Sequence, residues 1–352
     1  MVRGPETFEA ADWMTAALPD VTALVLLTSV TAYSVAGGID FGAGIWDLLA
    51  GSGKQAAQAR ALIDHAMGPV WEANNVWLVF AIVICWTGFP LLFQSVFASL
   101  YPLFSLALLG VILRGSFFAF RHIATGPRVE RLSSLVFGIS SLVTPFFFAA
   151  SLGAIASGRV VVGGPTSPVL QACISPMSIS FGLVSVAATA FSGASFLVGD
   201  ARRYGIPEMV DYFRRRAVIA TLALITAGTL GLISIAFEAP RLLTAMITGL
   251  GTPFVLGAVV LTPVVGFLLW RRRFVWYRVL TVGAVGSLVP AWGLAQAPYL
   301  LPGELTISQA AAPIATHVLL VVTTAALVLL VLPALWLLLY LDQRSALESP
   351  NP

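Results

Sequence analysis

The chain has 352 residues, 58% of them hydrophobic and only 10% charged, with a formal net charge of +3 and a mean hydropathy of +0.93. Soluble domains carry about 25% charged residues, so a soluble fold is excluded, and the small basic excess gives no reason to expect nucleic acid as a partner. Cys85 and Cys173 are the only cysteines, too few and too apolar in setting for a disulfide framework or a metal cage.

Residues 1–18 hold Glu6, Glu9 and Asp12 with a lone Arg3. That is not the basic start of a signal peptide, and a short extracytoplasmic segment is expected there. Apolar segments follow at roughly 19–39, 74–97, 98–120, 132–157, 174–199, 216–237, 246–270, 274–296 and 312–341, each about the length a membrane helix needs. The second and third meet at an ambiguous boundary, marked both by Gly88 and Pro90 and by Tyr101-Pro102. Between the first two, residues 54–67 put Leu62, Ile63, Ala66 and Met67 on one side, the pattern of an amphipathic helix lying in the interface. The expected fold is an all-α polytopic membrane protein: one domain of nine transmembrane helices over 19–341 and a tail at 342–352.

The basic residues give the orientation. The connections at 40–73, 114–131, 200–216 and 271–278, with the C-terminal tail, hold 16 of the 19 Lys and Arg. The opposite set has only Arg3, Arg159 and Arg241. By the positive-inside rule the N-terminus of this multi-pass chain is outside and its C-terminus cytoplasmic.

Two stretches place a carboxylate at the edge of an apolar run. Gly37 to Gly42 surrounds Asp40, with Gly38 and Gly42 four apart and suited to close helix approach. Gly68 to Trp77 begins a helix with Pro69 in its first turn, and gathers Glu72, Asn74, Asn75, Trp71 and Trp77 at one membrane surface. Glu72 either caps its own helix, favoured by the dipole, or handles protons there. Arg114 lies seven residues before Arg121, about 10 Å inside its helix. An arginine at that depth costs about 2.5–3.5 kcal/mol unless paired or hydrated. It therefore either pairs with Asp40 or Glu72 or snorkels to the interface.

Nucleotide chemistry is improbable, since neither Gly37–Gly44 nor Gly51–Gln55 has P-loop spacing. His65, His122 and His317 form no cluster with one another or with cysteine, so neither a metal site nor haem ligands are expected in this chain. The intramembrane acids and Gly/Pro-interrupted helices suit a proton-coupled secondary transporter.

The motifs themselves add a second reading. Gly38-Ile39-Asp40-Phe41-Gly42-Ala43-Gly44, the run from Gly68-Pro69-Val70-Trp71-Glu72 to Asn75-Val76-Trp77-Leu78, then Gly88-Phe89-Pro90, Leu113-Arg114-Gly115 and Phe120-Arg121 resemble subunit II of the cytochrome bd-type quinol oxidases. The likeness is strong over 37–121 and weaker at Ser192-Gly193-Ala194 and Trp292–Pro302. It departs where many members have Asp at the position of Glu72, and where a Met-Trp-Asp ahead of the last helix is replaced by Gln309–Pro313, as in a divergent branch.

The resemblance implies nine helices in the orientation deduced from charge. It implies a larger partner, subunit I, carrying the haems and the quinol site, with quinol and oxygen as substrates of the complex and protons drawn from the cytoplasm. This chain would bind no cofactor alone, with room left for a structural quinone or lipid among its membrane-lipid contacts. Glu72 and Asp40 would lie on the proton path, with Trp71, Asn75, Arg114 and Trp77 in supporting positions.

Overall fold

A computed structural model describes residues 5–67, 70–121, 127–164 and 169–343. It is almost entirely helical. In chain order the helices are α1 (Pro5–Leu48), α2 (Lys54–Met67), α3 (Val70–Gly88), α4 (Pro90–Arg121), α5 (Pro127–Ala156), α6 (Val169–Cys173), α7 (Pro176–Arg203), α8 (Pro207–Glu238), α9 (Pro240–Thr248) and α10 (Thr252–Trp270). Then come α11 (Tyr277–Gly286), α12 (Leu288–Gln296), a small antiparallel hairpin of β1 (Tyr299–Leu301) and β2 (Leu305–Thr306), α13 (Ile307–Ala310) and α14 (Ile314–Gln343).

Among the described residues seven helices are long and apolar enough to cross a membrane: those at 16–48, 90–117, 132–156, 176–203, 207–238, 252–270 and 277–296. The last of these bends at Ser287, between α11 and α12. Asn74–Gly88 and Ile314–Leu330 are shorter apolar helices.

Two element boundaries differ from the sequence expectation. The first helix does not end near residue 39: α1 runs on to Leu48, so Asp40 sits inside a continuous helix rather than at its edge. The second and third segments part at Phe89, not near residue 97, and α4 begins at Pro90, whose missing N–H costs nothing at a helix start. The other candidate break survives as a kink. Leu100 leaves helical geometry (φ −114°, ψ 19°) two residues before Pro102, whose ring cannot accept the preceding turn without displacing it. The interfacial segment forms α2 over 54–67, with Ala59, Leu62 and Ile63 buried in a core shared with α7 and α8.

Helices α1 and α7 lie at the centre. Their crossing is a glycine contact: a Cβ on Gly42 would overlap the Thr189 carbonyl and come within 2.8 Å of Gly193, and one on Gly193 would overlap Gly42 in return. Small residues let backbones approach where there is no hydrophobic drive between helices. Gly38 is looser, with Ser192 Oγ 3.6 Å from where a Cβ would stand. The crossing is locked by Trp46, whose indole N–H donates to the Ala190 carbonyl at 2.8 Å. Next to it Asp47, fully buried, accepts from Arg60 Nε at 2.9 Å and so ties α2 to the end of α1.

Candidate functional site

Asp40 on α1 and Arg114 on α4 are 4% and 2% exposed and form a two-point ion pair. Arg114 Nη1 donates to Oδ2 and Nη2 to Oδ1, both at 2.8 Å, and Nη2 also reaches the Asp40 carbonyl at 3.0 Å. The guanidinium is sandwiched by aromatic rings, 4.6 Å from the centroid of Phe41 and 4.7 Å from that of Phe137 on α5. The planar fork of arginine suits both contacts at once. Of the alternatives for Arg114, the structure therefore has pairing with Asp40 rather than snorkelling.

Around this pair lies a small cavity of about 10 Å³ lined by Tyr33, Asp40, Phe41, Asn74, Asn75, Val111 and Arg114. That is room for about one water. Tyr33 stands edge-on to Phe41 and to Phe148, so its hydroxyl is aimed by packing. Four polar atoms here, Tyr33 Oη, Asn74 Oδ1, Asn74 Nδ2 and Arg114 Nε, are buried with no hydrogen-bond partner among the described residues. Orphaned groups of this kind are rare in folded proteins. Here the three residues that carry them line one space shared by α1, α3 and α4.

The structure thus brings together Asp40, Arg114, Asn74 and Asn75 of the residues singled out from sequence, and adds Tyr33. Tyr33 is seven residues before Asp40 on the same face of α1, a periodicity the sequence did carry. Asn74 is the buried amide of the pair, 3% exposed, while Asn75 is half-buried. Trp77 does not line the cavity; it stands on α3 edge-on to Phe80. Trp71 and Glu72 belong to the first turn of α3, and their side chains lie outside the described residues, as do Gly68 and Pro69.

The histidines are elsewhere. His65 is exposed on α2 beside Tyr204, and His122 lies outside the described residues. His317 on α14 is fully buried, with Nδ1 2.9 Å from Thr22 Oγ1 of α1 and Phe89 against its ring. Among the described residues no group of three or more His, Cys, Asp and Glu could hold a metal ion.

Residues 18–341 match the family described as cytochrome bd terminal oxidase subunit II. The chain belongs to that family. Among known relatives of this subunit II, it is 28% identical over 131 residues to cytochrome bd ubiquinol oxidase subunit 2 of Bacillus subtilis, covering 37% of this chain and 38% of that one. It is 25% identical over 203 residues to cytochrome bd-I ubiquinol oxidase subunit 2 of Escherichia coli, covering 55% and 50%. The chain thus spans half or less of the length of these relatives. A solved structure of bd oxidase from Geobacillus thermodenitrificans matches with a TM-score of 0.75 at 25% identity, over 93% of this chain and 98% of that one. The likeness in fold therefore extends across nearly the whole subunit II chain, including the halves that the two relatives' sequences do not match.

Proposed function

We propose that this chain is the haem-free second subunit of a quinol:oxygen oxidoreductase, holding a haem-bearing subunit I in the membrane and supplying part of the path by which protons reach the site of oxygen reduction. In this reading it crosses the bacterial cytoplasmic membrane nine times. The two short apolar helices, Asn74–Gly88 and Ile314–Leu330, count as spans, and the arginine-rich connections face the cytoplasm. Quinol and oxygen are substrates of the complex, and a structural quinone or lipid remains open for this chain.

The observation that carries the reading is the family match over residues 18–341, joined to an acid-containing polar cavity at one end of α3. Protons enter at Glu72 in the first turn of α3. They pass along the same helix to Asn74 and Asn75 and to a water in the cavity beside Asp40. Arg114 cannot give up a proton. Its role is to hold Asp40 in place, leaving the outer lone pairs of the carboxylate open to that water. Trp71 and Trp77 seat the helix end at the interface. The haems and the redox chemistry belong to the partner, and no step through them is assigned to residues of this chain.

The test is purification of the complex from its native membrane, followed by Glu72→Gln and Asp40→Asn variants. Co-purification with a haem-bearing subunit, normal haem spectra and slowed oxygen consumption support proton delivery. Full turnover in both variants leaves only a scaffolding role, and isolation of the chain alone ends the oxidase reading. A proton-coupled transporter, the other class open to the sequence, is not favoured by the family match.

A further inference from the structure

The connection α7–α8 and the connection α10–α11 form one strongly basic surface. Arg202 donates to the Phe274 carbonyl and stacks 4.4 Å over its ring. Arg214 reaches the Trp270 carbonyl at 3.4 Å, and Arg272 bridges to Asp211 at 3.2 Å. Nine arginines (202, 203, 214, 215, 216, 271, 272, 273 and 278) stand here among three acids, Asp200, Glu208 and Asp211. The α10–α11 connection is a set structure, since Arg272 and Trp276 are both held in left-handed backbone (φ 56° and 60°).

Not all of these arginines are used internally. Arg278 pairs with Asp200, while Arg214 and Arg272 share Asp211. Arg215, Arg271 and Arg273 are exposed and have no carboxylate partner among the described residues, Arg271 resting instead over Phe267 and Trp270.

Two of the three crown an exposed apolar column. On α8, Arg215, Ile219 and Leu222 share one face; on α10, Val260, Val264, Phe267 and Arg271 do the same, and all of these apolar side chains are exposed. Helices α8 and α10 pack directly together, with Gly266 against Thr221. Trp270 and Trp276 lie exposed at the same end, the position aromatic side chains take at a membrane surface.

Charge for topology alone requires a count of basic residues in the connections. It does not require unpaired guanidinium groups at the head of exposed apolar columns. We propose that this end of α8 and α10 is a binding site for an anionic phospholipid, its phosphate held by Arg215, Arg271 and Arg273 and its acyl chains lying along Ile219, Leu222 and Phe267. Guanidinium groups match phosphate oxygens two at a time, and clustered basic side chains between membrane helices are suited to such headgroups. The site rests on the membrane-spanning fold, not on the oxidase reading, and stands or falls separately from it.

The experiment uses the purified complex, delipidated in detergent and titrated with phosphatidylglycerol, phosphatidylcholine or inorganic phosphate. Bound lipid is counted by native mass spectrometry and thermal stability is followed in parallel. Phosphatidylglycerol should be retained and should raise the melting temperature, whereas phosphatidylcholine and inorganic phosphate should do neither. Raising the salt to about 0.5 M should weaken retention, as expected for screened charges. The triple variant R215Q/R271Q/R273Q should bind phosphatidylglycerol about a hundredfold more weakly, at roughly a fivefold loss for each surface arginine. Arg241→Gln, at the opposite end, should bind as the parent does.

Should the triple variant fail to insert, the salt titration and lipid comparison on the unsubstituted protein decide the matter alone. Equal retention of phosphatidylcholine, stabilisation by inorganic phosphate as strong as by lipid, or salt-independent retention would each overturn the proposal.

Discussion

Replacing Arg114 by leucine isolates the energetics of the buried pair. The change leaves Asp40, 4% exposed, with both carboxylate oxygens and its own carbonyl stripped of the guanidinium N–H groups that now bond them. Breaking a buried ion pair from one side costs about 3–5 kcal/mol, because a charge is left uncompensated. Removing the guanidinium from between Phe41 and Phe137 adds about 1 kcal/mol of lost cation–ring attraction. The expected loss is thus about 4–6 kcal/mol, enough to abolish most of the stability of an ordinary domain.

The double variant Asp40→Leu/Arg114→Leu should behave quite differently. Exchanging a whole buried pair for apolar side chains is often neutral or stabilising, so the double should recover most of what the single loses. Unfolding by sodium dodecyl sulfate in mixed micelles, followed by tryptophan fluorescence, gives all corners of the cycle. A single-variant cost below about 1 kcal/mol, or a double variant no better than the worse single, would refute the reasoning. Either result would mean that water reaches the pair and screens it.

Three further outcomes follow from the packing and the cavity. Gly42→Ala should destabilise by about 1–3 kcal/mol through overpacking against Thr189 and Gly193, whereas Gly38→Ala should stay within about 0.5 kcal/mol, because its Cβ would meet Ser192 at ordinary contact distance; the same micelle titration compares them. Thr22→Val removes the Oγ1 facing His317 Nδ1 while His317 Nε2 already lacks a partner among the described residues, so it should cost about 1–3 kcal/mol, with haem absorbance of the purified complex unchanged. Tyr33→Phe and Asn74→Leu each remove buried polar atoms from the cavity; stability should hold or rise while oxygen consumption by the complex falls, and unaltered turnover would exclude the cavity from the proton path.

The reading of α1 shows how far a membrane sequence discloses its own fold. Apolar length and arginine placement were enough to mark most of the helices, because the bilayer constrains both. The expected end of α1 falls too early because the apolar run stops before Asp40, a charge that suits the edge of a span. The glycines at 42 and 44 lie inside the helix and serve contact: each would clash with a neighbouring helix, α7 or α5, if it carried a Cβ. The tie between Asp47 and Arg60 was hidden for the same reason, since a helix thought to end near residue 39 offers no place to bury Asp47. The break at Phe89 and the kink at Leu100 were both signalled by Gly88, Pro90 and Pro102. Only packing could decide which one separates two helices and which one merely bends one.

For the site, the depth of Arg114 in its helix narrowed it to pairing or snorkelling, because a guanidinium there needs a partner or water. Its partner being Asp40 was not legible, since that choice depends on how α1 and α4 rotate about their axes. The same rotation brings Tyr33 and Asn74 to the cavity, and their orphaned atoms bear directly on function. Selection for stability alone would replace unsatisfied buried donors and acceptors with apolar groups of the same shape, a change that is nearly free or favourable. A two-point ion pair beside them is likewise weak evidence for stability. Four unpaired polar atoms and a fixed charge pair gathered around space for one water form an arrangement that costs stability in every part. Such departures from local consistency concentrate where a protein does chemistry. The proposed passage of protons is therefore placed at the cavity at the base of α3 rather than at the larger apolar surfaces of the bundle.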